Sequence, residues 1–125
     1  MLDSGGGSVA SGPVVKQWTG VSSTNLQWQL VDVGGGYNRI VNRANGMVID
    51  SWGDASNGAS GSQAPWNGGN NQQWRLVSVG SGRYQIVNRG TGTALDGMGS
   101  TTAGSMVCRW APNTNTNNQW TVTAL

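Results

Sequence analysis

The chain carries five carboxylates, Asp3, Asp32, Asp50, Asp54 and Asp96, with neither glutamate nor histidine and with Cys108 as its single thiol. Acid–base catalysis by carboxylates needs two of them facing each other across one bond, one with a raised pKa. Asp50 and Asp54 are the only pair close in sequence. Asp3, Asp50 and Asp96 instead fall at matching places in a repeat, which spreads the acids out rather than concentrating them. Catalytic residues are therefore not expected. A lone cysteine makes no internal disulfide and has no ligand cluster beside it, so neither a metal nor a cofactor is expected.

The repeat itself is plain. Asn-x-Gln-Trp occurs as Asn25-Leu26-Gln27-Trp28, Asn71-Gln72-Gln73-Trp74 and Asn117-Asn118-Gln119-Trp120, successive copies lying 46 residues apart. That period signals a supersecondary unit built several times over. An apolar residue followed by Asp recurs in phase as Leu2-Asp3, Ile49-Asp50 and Leu95-Asp96, and a further tryptophan precedes each tetrapeptide at Trp18, Trp66 and Trp110.

At 125 residues the chain has single-domain length, read here as one domain over 1–125 with repeats 1–36, 37–82 and 83–125. Hydrophobic residues make up 36% and charged residues 10%, with 21 glycines and no phenylalanine. Such a composition does not supply a core of aliphatic helices. Clusters of Gly, Asn, Ser and Thr between short runs of Val, Ile, Trp and Tyr mark many short strands joined by turns, hence an all-β domain. The formal net charge of +2 comes from scattered basic residues, whereas nucleic-acid binding calls for a concentrated basic face, so no nucleic-acid partner is expected. No apolar run reaches the roughly 20 residues of a membrane span, and Met1-Leu2-Asp3 lacks the basic and apolar regions of a signal peptide.

Period-2 alternation predicts strands at 14–18, 27–31, 37–41, 47–49, 73–77, 84–87, 93–95, 105–110 and 119–123. Units two and three open with Tyr37-Asn38-Arg39-Ile40-Val41-Asn42-Arg43 and Arg83-Tyr84-Gln85-Ile86-Val87-Asn88-Arg89, whereas unit one starts at Met1-Leu2-Asp3, inside what corresponds to its second strand. A closed structure short of one strand leaves backbone groups unpaired. The expectation is that the first strand of repeat one is missing and that the chain is attached to, or completed by, another polypeptide segment.

Three units closed by Asn-x-Gln-Trp, opened by apolar-Asp and carrying an intervening Trp resemble the ricin-type β-trefoil lectins and family 13 carbohydrate-binding modules. Ile40-Val41-Asn42-Arg43, Val48-Ile49-Asp50 and Asn67-Gly68-Gly69-Asn70-Asn71-Gln72-Gln73-Trp74 look like the bacterial branch of that family. The resemblance covers nearly the whole chain. It implies a β-trefoil with pseudo-threefold symmetry, six strands in a short barrel and six in a hairpin cap, and a shallow sugar site in each unit. Carried across, the first site uses Asp3, Trp18 and Asn25; the second Asp50, Trp66, Asn71 and Gln72; the third Asp96, Trp110, Asn117 and Asn118. It further implies a secreted, extracellular, non-catalytic module that binds galactose-like sugars or plant or algal polysaccharide and accompanies a glycoside hydrolase.

Physical chemistry fits these roles. A pyranose presents an apolar C–H face that stacks on an indole and a rim of hydroxyls that need fixed donors and acceptors. A carboxylate accepting from two vicinal hydroxyls is the orienting contact. The plain alternative for each Asp is a loop acid bonding nearby backbone amides. Trp28, Trp74 and Trp120 are expected in the core, Trp18, Trp66 and Trp110 as solvent-facing platforms, and Gln27, Gln73 and Gln119 as structural amides. Asp54 and Trp52 follow Asp50 without counterparts in the other units and read either as an ordinary surface loop or as a widening of the second site.

The sequence departs from the family pattern where Gln usually stands two residues before each platform Trp; here Lys16, Ala64 and Cys108 do. Leu26 replaces a sugar-contacting Gln in unit one, and Asn118 keeps a shorter amide in unit three. The sites are thus expected to rank second, third, first. A glycosidase is the less favoured alternative because the repeat separates the acids. A β-trefoil serving protein contacts, as an inhibitor or scaffold, is the other; such folds host unrelated functions.

Overall fold

The chain's fold is known from a computed structural model, which describes residues 2–3, 16–17, 26–99 and 107–122. The strands are β1 (Leu2–Asp3), β2 (Lys16–Gln17), β3 (Trp28–Gly34), β4 (Tyr37–Asn42), β5 (Val48–Asp50), β6 (Ser62–Ala64), β7 (Trp74–Gly80), β8 (Arg83–Asn88), β9 (Ala94–Asp96), β10 (Cys108–Trp110) and β11 (Trp120–Thr121). Among the described residues there is no α-helix; single 3₁₀ turns lie at Asn70–Gln72 and Thr116–Asn118, and Leu26 is in 3₁₀ conformation as well.

The chain is all-β, and its pairing is that of a β-trefoil. β3, β4, β7, β8 and β11 follow one another as neighbours in the barrel wall. β1–β2, β5–β6 and β9–β10 are three antiparallel cap hairpins, one per unit. The two long wall hairpins are copies of each other down to their irregularities. Register slips between Asp32 and Gly34 in one and between Ser78 and Gly80 in the other. Asp32 serves this bulge, its Oδ1 accepting from the Gly34 amide at 2.7 Å, as Ser78 Oγ does from Gly80 at 3.4 Å. Asp32 is thereby accounted for as a turn acid.

The second tryptophan set builds the centre. Trp74 is fully buried among Ile40, Ile49, Ile86, Leu95 and Val107, with Trp28 and Trp120 partly buried against this cluster. Each indole Nε1 donates to the carbonyl of the apolar residue that precedes the unit's Asp: Trp28 to Leu2 at 3.0 Å, Trp74 to Ile49 at 2.9 Å and Trp120 to Leu95 at 3.0 Å. The bond satisfies a buried indole N–H and fixes the cap hairpin to the wall. The distant halves of the sequence repeat, apolar-Asp and Asn-x-Gln-Trp, meet through this bond.

The repeated glutamines Gln27 and Gln73 link neighbouring units rather than only the loops of their own. Gln73 donates to the Gly68 carbonyl in its own unit at 3.2 Å. Its Oε1 also accepts from Arg89 of the next unit at 2.8 Å, and the Arg89 amide donates to the Gln73 carbonyl at 2.8 Å. Gln27 and Arg43 repeat the pair between units one and two. Most predicted strands coincide with observed ones, those at 14–18, 105–110 and 119–123 lying partly outside the described residues, but the sequence does not predict β6: Ser62-Gln63-Ala64 carries no β-branched or aromatic residue, and its place is set by pairing with β5 and by burial. Cys108 is buried on β10, where burial raises its thiol pKa.

Candidate functional site

Asp50 and Asp96 each end the first strand of a cap hairpin, almost wholly buried. The Oδ1 of Asp50 accepts from the Trp52 amide at 2.7 Å, and that of Asp96 from the Met98 amide at 2.7 Å. This short turn drives Trp52 and Met98 into the left-handed region, with φ of 55° and 56°, ahead of Gly53 and Gly99 at 73° and 75°. The asparagine arrives from the 3₁₀ turn. Asn71 accepts from the Ser51 amide at 3.0 Å, and Asn117 from the Gly97 amide at 2.8 Å, both through the main-chain carbonyl. Each Asn side chain lies against the glycine that follows Trp52 or Met98, a Cβ on Gly53 or Gly99 falling 3.3 or 3.5 Å from its Nδ2. Carboxylate and amide are therefore clamped side by side by main-chain bonds in both units.

In the third unit this clamp borders an open cavity of about 270 Å³ lined by Asp96, Met98, Trp110, Asn113, Asn115 and Asn117. Three of these, Asp96, Trp110 and Asn117, are predicted site residues. Met98, Asn113 and Asn115 are not, although Met98 follows Asp96 by two residues and the asparagines form successive side-chain turns, Asn113 Oδ1 accepting from the Asn115 amide at 2.8 Å and Asn115 Oδ1 from the Asn117 amide at 3.1 Å. An indole, a thioether, a carboxylate and three amides around one concavity can hold an apolar ring face and its polar rim together. A larger cavity of about 430 Å³ runs along β3 and β4 from Gln27 to Arg43 and contains none of the predicted site residues.

The second unit departs from prediction at its tryptophan. In the β9–β10 hairpin Asp96 pairs with Cys108, Leu95 with Arg109 and Ala94 with Trp110; in β5–β6 Asp50 pairs with Ser62, Ile49 with Gln63 and Val48 with Ala64. The position matching Trp110 is thus held by Ala64, and that matching Cys108 by Ser62. Trp66 lies two residues further on, half-buried, with the Arg39 guanidinium 5.1 Å from its ring centroid. The wall residue at the same place in the third unit is Gln85, whose Nε2 bonds the Asn113 carbonyl at 2.9 Å and the Asn118 amide at 3.1 Å. Trp66 on Arg39 accordingly fastens the 65–72 loop to the wall, as Gln85 fastens the corresponding loop after Trp110.

The x of Asn-x-Gln-Trp is a predicted sugar contact in units two and three, as Gln72 and Asn118. The position is buried in every unit: Leu26 at 4%, Gln72 at 0% and Asn118 at 0% exposure. Gln72 Nε2 donates to Asp50 Oδ2 at 3.0 Å and to the Pro65 carbonyl at 2.9 Å, while its Oε1 accepts from the Asn67 amide at 2.8 Å. It positions the carboxylate from beneath. Asn118, one methylene shorter, bonds Asn113 and Gln85 instead.

Trp52 does have a counterpart, Met98, and both are exposed. Asp54 lies in the loop that follows. Its carboxyl is held below the usual range by the Ser56 backbone amide, the Ser56 hydroxyl and the Arg109 charge, which is the reverse of what a general acid needs. Arg109 is buried and holds this loop to the third unit, its Nε donating to the Ser60 carbonyl at 3.1 Å and its Nη1 to the Asp54 carbonyl. For the first unit, Trp18, Asn25 and the side chain of Asp3 lie outside the described residues. The β1–β2 register sets Asp3 opposite Lys16, as Asp96 is opposite Cys108.

Cap hairpins that present an Asp beside an Asn from the Asn-x-Gln-Trp turn, on a β-trefoil, define the class of R-type lectin domains. The chain belongs to the ricin-type beta-trefoil lectin domain-like family, whose match covers residues 1–65 and 70–125. Among solved structures it is similar to the designed threefold-symmetric protein ThreeFoil, at 39% identity over 99% of this chain and 90% of that one, with a TM-score of 0.95. It is also similar to an exo-beta-1,3-galactanase from Clostridium thermocellum, at 36% identity and a TM-score of 0.93, covering 99% of this chain but 27% of the galactanase. The Polyporus squamosus lectin, solved with the epitope Neu5Aca2-6Galb1-4GlcNAc, is 25% identical over 81% of this chain and 36% of that one, with a TM-score of 0.71. Comparison with curated protein sequences finds no match. Among the described residues no helix is long and apolar enough to cross a membrane.

Proposed function

We propose that the chain is a non-catalytic carbohydrate-binding module that takes galactose-like sugars or a plant or algal polysaccharide, and that it serves as an accessory domain of a secreted glycoside hydrolase acting outside the cell. The observation that carries the reading is the third-unit cavity, where Asp96, Trp110 and Asn117 converge from three elements. The likeness to 27% of a β-1,3-galactanase supports both the galactose-like ligand and the accessory role. Asp96 accepts from vicinal hydroxyls, Trp110 stacks on the ring, and Asn117 supplies a donor and an acceptor at the rim. Asp50 and Asn71 do the same polar work in the second unit, and Asp3, Trp18 and Asn25 form the first site. Single shallow sites bind weakly, and several on one polymer gain through effective concentration.

Calorimetric titration with galactose, lactose, xylo-oligosaccharides and β-1,3-galactan tests the reading. Binding of a galactoside that falls at least tenfold at the third site in Asp96→Asn or Trp110→Ala supports it. No heat with any of these sugars, or unchanged binding in both variants, overturns it.

A further inference from the structure

Resting on the sugar-binding reading, we infer that Trp52, not Trp66, is the stacking platform of the second site, and that this site is built for two or more linked sugar residues. Four observations lead there. The hairpin register removes the aromatic from the place Trp110 occupies, leaving Ala64, which is buried. Trp66 is displaced from that place and has Arg39 over its ring. Within the turn after Asp50, the residue matching cavity-lining Met98 is Trp52, which is 54% exposed. Finally, Trp52 holds φ at 55°, a conformation that a bulky L-residue rarely adopts and that is maintained here by the Asp50 carboxylate on its own amide.

The strain and the exposure point the same way. An indole kept in water contributes little to folding, and one kept in water on a disfavoured backbone detracts from it. Met98 at the same backbone angle shows that the turn, not the indole, sets the conformation. The second unit therefore exchanges the Trp110–Met98 arrangement of the third unit for Ala64–Trp52. The aromatic face moves from the hairpin strand to the turn beyond Asp50. Asp50 and Asn71 keep one sugar ring by its hydroxyls, while Trp52, exposed two residues beyond the carboxylate, offers its face to the neighbouring ring of the same glycan.

The test isolates the second site in an Asp3→Asn, Asp96→Asn background and compares galactose with β-1,3-linked galactobiose by calorimetry. Stacking of a second ring is expected to make galactobiose bind about tenfold tighter than galactose there. Trp52→Gly, whose backbone tolerates the turn, and Trp52→Met, the third unit's residue, are both expected to abolish that gain. Trp66→Phe is expected to lower the melting temperature while keeping the gain. If both Trp52 variants retain it, or if Trp66→Phe removes it without loss of stability, the assignment is overturned and the sugar-binding reading stands. If the background protein binds nothing while the unsubstituted chain binds galactosides, the second unit holds no site and the assignment falls; if neither binds any sugar, the sugar-binding reading falls first.

Discussion

Gln72 donates from Nε2 to Oδ2 of Asp50 across 3.0 Å, with both residues buried, so the carboxylate expected to meet a ligand is already braced from below. The third unit lacks this brace, because the Asn118 side chain is spent on Asn113 and Gln85. Two sites of one repeat thus present the same acid with different backing.

Removing the brace has two separable consequences. Gln72→Ala leaves the Pro65 carbonyl and the Asn67 amide without their partner and opens space beneath Asp50, at a cost of about 1–3 kcal/mol from unsatisfied buried groups. Urea denaturation is expected to show that loss, and sugar titration a weaker second site with the third unchanged. Gln72→Asn reproduces the third unit's residue and is expected to lose the Asp50 bond as well.

Gly90 offers a probe of the neighbouring amide from outside the site. A Cβ placed there would run into Asn71 Oδ1 and crowd Asn88 Oδ1 at 3.3 Å. The glycine serves close approach rather than a left-handed turn. Gly90→Ala is expected to cost about 1–3 kcal/mol and to turn Asn71 away from Asp50, which weakens the second site and spares the third. Amide chemical shifts of Ser51 and Gly53 moving while those of Gly97 and Gly99 stay would register the displacement.

The repeat was legible because each of its marks has one structural duty that recurs: the Trp of Asn-x-Gln-Trp donates to the carbonyl just before the unit's Asp, in all three units. Trp66 matches Trp110 in type without sharing its place. Trp18 and Trp110 precede their Asn by 7 residues and Trp66 precedes its own by 5, a difference visible in the sequence that type-matching alone overrides. Only the hairpin register, set by the unforeseen β6, decides between the two alignments. Trp52 and Met98 differ in side-chain chemistry but share a place, two residues after Asp50 or Asp96 and just before a glycine, and a backbone angle imposed by that Asp. The burial of Gln72 and Asn118 is likewise hidden, since an amide in a polar tetrapeptide looks the same whether it faces a ligand or is turned inward.

Cys108 yields a pH-dependent expectation. Burial raises its thiol above the ordinary value of 9.0, the nearby Asp96 charge adding to this and Arg109 opposing it. The native state therefore holds the proton more tightly than the unfolded chain. Stability from this source is fully present below the unfolded thiol's pKa and is lost as pH rises through the folded value. Unfolding monitored between pH 7 and 10 is expected to show a decline above about pH 8.5 that Cys108→Ala removes. Alkylation by iodoacetamide at pH 8 is expected to be slow in the native protein and fast in urea.

Trp74 and Trp120 make the same bond, to Ile49 at 2.9 Å and to Leu95 at 3.0 Å, but in different surroundings. Trp74 is fully buried at the centre of the cluster, whereas Trp120 packs against it half-exposed. Substitution by Phe removes the N–H and part of the ring in both cases. At 74 the Ile49 carbonyl is left in a dry environment beside a new void, so desolvation and cavity penalties add to about 3 kcal/mol. At 120 water can reach the Leu95 carbonyl and fill the lost volume, which holds the cost to about 1 kcal/mol. Urea midpoints at an unchanged m-value measure the difference directly. Equal losses in Trp74→Phe and Trp120→Phe would mean that these two indoles share one environment, and that the repeat of the sequence extends to a repeat of stability in the second and third units.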